Sequence, residues 1–238
     1  MTDSHVLIAG DSNALGFLNT GPAPYAPSAQ VLIWTGSAWN WMIPGFNTGT
    51  PNNPADWGAE VQFANDWLAQ HQGDGSHLWI VKDPATVKGG TTLAVDWSPA
   101  GGHWFASTTT DATAAIHSLD GTSFAFDHFD AAIVVLGEND AVVPAYAQTY
   151  GANLAAFNTA ARSAWHVETL IEPRIEDTMG APADNLAVRQ AQWSADQVDG
   201  RLTTFKTIGF TQQPDHVHYD ATGQINLGHA AYEGWAVL

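Results

Sequence analysis

The chain has no cysteine in its 238 residues, which excludes disulfides, thiolate nucleophiles and thiolate metal ligands together. Cations are few as well: seven Lys and Arg stand against 24 Asp and Glu, for a formal charge of -17. Phosphate backbones and anionic membranes are held by clustered cations, so this balance argues against nucleic acid and against a membrane surface as partners. Charge of either sign is scarce, at 13% of residues against roughly 25% in an average soluble domain. Long apolar runs are also missing, and none approaches the ~20 residues a membrane helix needs. The start, Met1-Thr2-Asp3-Ser4-His5, has no basic region, and the run Val6 to Ala9 is too short for a signal sequence. No signal peptide is visible, so the expectation is a cytoplasmic protein or one exported by another route.

What is present is enough apolar material for a core, at 45% of residues. The length suits one α/β domain over residues 1–238. His5 to Ala9, Leu78 to Val81, Ala131 to Leu136 and Val167 to Ile171 are short continuous apolar runs. Such runs suit strands of a parallel sheet buried on both faces. Helical spacing appears between them, as Val61, Ala64, Trp67 and Leu68, and as Tyr146, Tyr150, Leu154, Phe157 and Ala161. A last helix is expected from about Thr222 to Trp235, capped by Asp220 or Thr222. Gln30 to Trp41 reads as a hairpin turning at Thr35-Gly36-Ser37, flanked by loops rich in Pro, Gly, Asn and Thr. The alternation predicts a three-layer α/β/α sandwich around a mostly parallel sheet of about five strands.

In such sheets the working site lies beyond the carboxyl ends of the strands. Four segments there carry chemistry. Gly10-Asp11-Ser12-Asn13 follows the first strand and offers a serine hydroxyl and its own amide at a tight turn, or a plain helix cap. Gly89-Gly90 lets the backbone approach a ligand, or is an ordinary turn. Gly137-Glu138-Asn139-Asp140 follows another strand and offers an amide side chain to a developing oxyanion, or an Asx-turn. Asp215-His216-Val217-His218 supplies a histidine base with an acid three residues before it. In chain order these are a nucleophile, two oxyanion donors, an acid and a base.

The set resembles the blocks of the SGNH hydrolases of the GDSL type, a superfamily with a flavodoxin-like fold. A finer resemblance is to the sialate O-acetylesterase and acetylxylan esterase branch. It rests on Val87 to Trp97 ("VKGGTTLAVDW"), Gly137 to Ala141 ("GENDA") and Asp215 to Gly228 ("DHVHYDATGQINLG"). Two departures stand out: Leu136 occupies the place of that branch's glutamine, and Glu138 competes with Asp215 as the acid. The resemblance implies an esterase removing short acyl groups, acetyl first, from a glycan or small acylated substrate. Ser12 would be the nucleophile, His218 the base and Asp215 the acid, with Glu138 as alternative. The amides of Ser12 and Gly90 and the side chain of Asn139 would form the oxyanion hole. No metal or organic cofactor is implied. Trp97 and the tryptophans between Trp34 and Trp41 are candidates for a sugar-stacking wall. Two other readings stay open: a metal hydrolase built on His216, His218, Asp215 and Asp220, and a non-catalytic carbohydrate-binding or virion-surface module.

Overall fold

In a computed structural model, which describes residues 3–237, seven strands form one sheet in the order β3-β2-β4-β1-β5-β6-β7. The strands are β1 (Ser4–Gly10), β2 (Val31–Trp34), β3 (Trp39–Trp41), β4 (Leu78–Val81), β5 (Phe129–Val135), β6 (Val167–Arg174) and β7 (Leu202–Lys206). All neighbours pair in parallel except β2 with β3, the hairpin. The four strands expected from continuous apolar runs are β1, β4, β5 and β6. The sheet is wider than the expected five strands because β3 and β7 join its edges. Met1 and Thr2, part of the start considered above, lie outside the described residues.

Alternation along β1 sets up two layers of core. Leu7 and Ala9 face one cluster, with Phe105, Ala112, Leu154, Phe157 and Val188. Val6 and Ile8 face the other, with Phe63, Ala64, Trp67, Leu227 and Ala231. Successive strand side chains point to opposite faces, so a run that is apolar throughout must be covered twice. On the first face lie α3 (His103–His117), α5 (Pro144–Ala164) and α6 (Pro182–Val198); on the second lie α2 (Glu60–His71) and α7 (Ala221–Ala236). The result is the α/β/α sandwich. Asp220 caps α7, accepting from the Gly223 N–H at 2.9 Å.

Strand β1 sits between β4 and β5, so the chain leaves it toward both sides of the sheet. That divergence opens a crevice at its carboxyl end. Two short helices line this end: α1 (Ser12–Leu15) after β1, and α4 (Glu138–Ala141) after β5. Glycines make both turns. Gly10 has φ 140°, and a Cβ there would meet the Val135 carbonyl oxygen at 2.1 Å. Gly137, with φ 129°, is hemmed by Ile175, Tyr150 and Val188. Beneath α1 the Lys82 ammonium, fully buried, donates to Glu60 Oε2 at 2.6 Å and to the Leu15 carbonyl at 3.0 Å.

Candidate active site

Ser12 is the first residue of α1, and Asp11 caps that turn by accepting from the Asn13 N–H at 3.0 Å. The cap and the nucleophile readings of this segment therefore fall on different residues. Ser12 Oγ lies 2.9 Å from His218 Nε2, and His218 Nδ1 lies 2.7 Å from Asp215 Oδ2. The other Asp215 oxygen accepts from the backbone N–H groups of Val217 and His218, at 2.9 and 3.0 Å. Desolvation opposes the charge on Asp215, but its hydrogen bonds from His218 and Val217 outweigh it and bring its pKa down to about 2. The carboxylate is thus ionised across the working range, and it fixes the imidazole with Nδ1–H toward Asp215 and the Nε2 lone pair toward Ser12. Phe17 braces the ring, its centroid 4.8 Å from that of His218.

The residues of the three candidate oxyanion donors, Ser12, Gly90 and Asn139, line one cavity. The backbone N–H groups of Ser12 and Gly90 donate to no partner among the described residues. Gly90 has φ 77°, and Gly89 packs so closely that a Cβ there would lie 3.2 Å from the Ser12 Cβ. Asn139 Nδ2 gives one hydrogen to Asp11 Oδ2 at 3.0 Å, leaving its second for the cavity that Asn139 lines. Glu138 does not serve His218. Its Oε1 accepts from Asn13 Nδ2 at 3.0 Å, and the histidine's Nδ1 is occupied by Asp215. Of the two candidate acids, Asp215 is the one bonded to the imidazole.

Asn13 ties the pieces together. Its amide also donates to the Val217 carbonyl at 3.2 Å, its oxygen accepts from the Tyr219 N–H at 3.1 Å, and its own carbonyl accepts from Gln224 Nε2 at 3.0 Å. The loop carrying the acid and base is thereby stitched to the turn carrying the nucleophile, some 200 residues away in sequence. Asp140 is equally structural: its carboxylate accepts from the Leu93 and Ala94 N–H groups at 2.8 and 3.0 Å, holding the segment after the glycine pair.

The cavity over Ser12 has a volume of about 570 Å³, and Thr50, Asn53, Phe17, Trp104 and Val217 form part of its walls. Trp97 does not reach it. It is fully buried, donates to Thr91 Oγ1 at 2.9 Å and packs edge-on against Trp165, so it belongs to the core. The hairpin tryptophans fail as a wall too. Trp34 is buried on Asp111, and Trp39 and Trp41 line a separate depression. The tryptophan at the site is Trp104, at the start of α3, which sequence reasoning missed because nothing in its neighbours marks it. Nor do His216 and Asp220 join His218 as metal ligands: Asp220 is occupied as the α7 cap. Among the described residues only His128, Asp130 and Glu168 bring ligand atoms within 4.8 Å of one another, and they lie elsewhere.

Several solved structures share this fold. A protein from Arabidopsis thaliana superposes with a TM-score of 0.79 at 17% identity, over 99% of each chain. NanS superposes with a TM-score of 0.62 at 12% identity, again over 99% of each chain. An acetyl xylan esterase variant from Geobacillus stearothermophilus gives 0.54 at 13% identity, over 98% of this chain and 94% of that one. No curated protein sequence matches. At these identities the likeness speaks for the fold alone. The family model described as carbohydrate esterase, sialic acid-specific acetylesterase, matches residues 4–235. The chain therefore belongs to that family of carbohydrate esterases and is a carboxylic ester hydrolase.

Proposed function

We propose that the protein removes short acyl groups, acetyl foremost, from a carbohydrate by a Ser12-His218-Asp215 acyl-enzyme mechanism. One observation carries the reading. The serine, imidazole and carboxylate form an unbroken chain of hydrogen bonds, at 2.9 and 2.7 Å, opening onto a cavity beside three N–H donors. As Ser12 Oγ bonds to the ester carbonyl carbon, its proton passes to His218 Nε2, and the carbonyl π electrons move onto oxygen. The N–H groups of Ser12 and Gly90 and the free hydrogen of Asn139 Nδ2 receive that oxyanion. His218 then returns the proton to the departing sugar oxygen, and the acyl group stays on Ser12. Water repeats the sequence and frees the acid. Asp215 stays ionised throughout and stabilises the imidazolium.

The walls are compatible with the substrate class. A cavity of about 570 Å³ has room for one sugar ring with its ester, and Trp104 is among its lining residues. The lining mixes apolar Leu15, Phe17, Val87 and Val217 with Thr50 and Asn53, and the preference for acetyl rests on the family match. The test is hydrolysis of p-nitrophenyl acetate and octanoate, with and without chelator, by wild type and Ser12→Ala. Serine-dependent, chelator-resistant cleavage that favours acetate supports the reading. Undiminished cleavage by Ser12→Ala overturns it, and a folded wild type that binds a glycan yet cleaves no ester favours the binding module.

A further inference from the structure

Below the nucleophile, two carboxyl groups are held by one asparagine away from bulk water. Asp11 is fully buried and Glu138 nearly so. Asp11 Oδ1 accepts from the Asn13 N–H, and its Oδ2 from Asn139 Nδ2, each at 3.0 Å. Glu138 Oε1 accepts from Asn13 Nδ2 at 3.0 Å, while its Oε2 is buried and receives no hydrogen bond among the described residues. Asn13 therefore donates to both acids, through its N–H to Asp11 and its Nδ2 to Glu138, and holds them in one dry pocket. Two carboxylates are acceptors only, so a hydrogen bond between them exists only if one of the acids carries a proton.

Nothing else nearby neutralises them. Among the described residues neither acid forms an ion pair with Lys or Arg, whose ion pairs are Lys82 with Glu60 and Arg162 with Asp199. The titratable groups facing the pair are Asp140 from its own short helix, Tyr150 from α5, and His218 and Tyr219 from the segment before α7. Asp140 adds negative charge, and the tyrosines add none that could compensate. Two buried acids sharing one dry pocket do not both ionise under these conditions. Burial first, and each other's charge second, push Asp11 well above the usual carboxylate range, and burial pushes Glu138 up too.

We propose that Asp11 and Glu138 share a single proton, and that this bridged pair is the positioning device that aims the free hydrogen of Asn139 Nδ2 at the oxyanion. The role rests on the esterase reading above; the shared proton does not. With the bridge in place, Asp11 is pinned by Glu138 and Asn13, and its Oδ2 can hold Asn139 in one orientation. Without the bridge the two charges repel, Asp11 swings, and the amide loses its anchor. Neither acid touches substrate, so both act through the two asparagines.

Two experiments test this separately. The first measures the infrared carbonyl band of protonated carboxyl groups at pH 7 in the Ser12→Ala background, where no turnover is needed. Glu138→Gln supplies Nε2–H to an ionised Asp11, and Asp11→Asn supplies Nδ2–H to an ionised Glu138. Each single substitution is therefore expected to remove the intensity of one carboxyl, and the double no more than that. Loss of two carboxyls in the double, or of none in the singles, overturns the shared proton. The second measures kcat and KM on an acetyl ester with Ser12 restored. Glu138→Ala is expected to lower kcat tenfold or more with KM within about twofold, and Glu138→Gln to recover most of that loss. Asp11→Asn turns an N–H toward either Asn13 or Asn139, so its kcat is expected to fall with KM little changed. A Glu138→Gln as poor as Glu138→Ala, or losses confined to KM, overturns the positioning role. If wild type itself cleaves no ester, the proposed function fails, and the infrared result still stands.

Discussion

The Lys82–Glu60 ion pair ties the stability of the chain to the geometry of its nucleophile. Both side chains are fully buried, 2.6 Å apart, and each has a second duty: Lys82 donates to the Leu15 carbonyl, and Glu60 Oε1 accepts from the Gly58 N–H at 2.8 Å. Lys82→Met keeps most of the volume but leaves the Glu60 charge in a dry interior and frees the last carbonyl of α1. Removing one partner of a buried pair costs about 3–5 kcal/mol, most of it the stranded charge. For a chain of this size each kcal/mol moves Tm by about 2–4 °C, so a drop of about 6–20 °C is expected. Glu60→Gln placed on Lys82→Met removes the charge while keeping the bond to Gly58. The double variant should therefore recover at least half of the loss. Calorimetry on the four members of the cycle, at one pH and protein concentration, makes the comparison. A Lys82→Met variant within about 1 kcal/mol of wild type, or a double variant worse than the single, would refute the argument. Because the Leu15 carbonyl closes the turn that starts at Ser12, kcat of Lys82→Met should also fall at temperatures well below its Tm.

Other outcomes follow from the same geometry. Asn139→Ala removes one of the three proposed oxyanion donors, and kcat should drop about 10²–10³-fold, with KM within a few-fold, in steady-state kinetics on an acetyl ester. A change confined to KM would remove Asn139 from the hole. Glu172, on β6, is buried, and burial pushes its pKa to about 8 against the lowering influence of Asn158 and Arg162. Its folded pKa lies above the unfolded value of about 4.3, so wild-type stability falls as pH rises between those two values. Glu172→Gln should be the more stable protein at pH 9, by on the order of a few kcal/mol in urea unfolding, with the gap closing at pH 4. A gap that is constant with pH would contradict the neutral, buried acid. Gly89→Ala puts a methyl group 3.2 Å from the Ser12 Cβ, and it should lower kcat at least tenfold while the fold survives; an active Gly89→Ala would mean that the nucleophile turn is looser than drawn here.

Most of the central sheet was legible because β1, β4, β5 and β6 are buried on both faces, and burial forces a continuous apolar run. β7 was not, since Leu202–Lys206 reads "LTTFK", an edge strand with one half-wet face. α3 escaped because His103–His117 is built of Ala and Thr, whose packing leaves no bulky stripe. α6 escaped because only Asn185, Val188 and Gln192 are buried along it, and two of those are polar. The candidate site was legible for a different reason. A strand-end glycine, a serine and an Asp-x-x-His pair constrain one another, and the turn geometry that joins them is local. Substrate-wall residues are not local. Trp97 and Trp104 look alike in sequence, seven residues apart, yet one packs on Trp165 in the core and the other lines the cavity. Their difference is set by where α3 meets the sheet. Glu138 shows the same limit: its residue type suits a triad acid, and only the bond to Asn13 assigns it elsewhere.

The central claim is that Ser12 is the nucleophile activated by His218. The most direct measurement is mass spectrometry of the intact protein and its peptides after reaction with an organophosphate ester, in wild type, His218→Ala and Ser12→Ala. The account predicts one adduct per wild-type chain, on the peptide holding Ser12, and at least 100-fold slower labelling in His218→Ala. An adduct at another residue, or an esterase that stays active with Ser12 unlabelled, would contradict it.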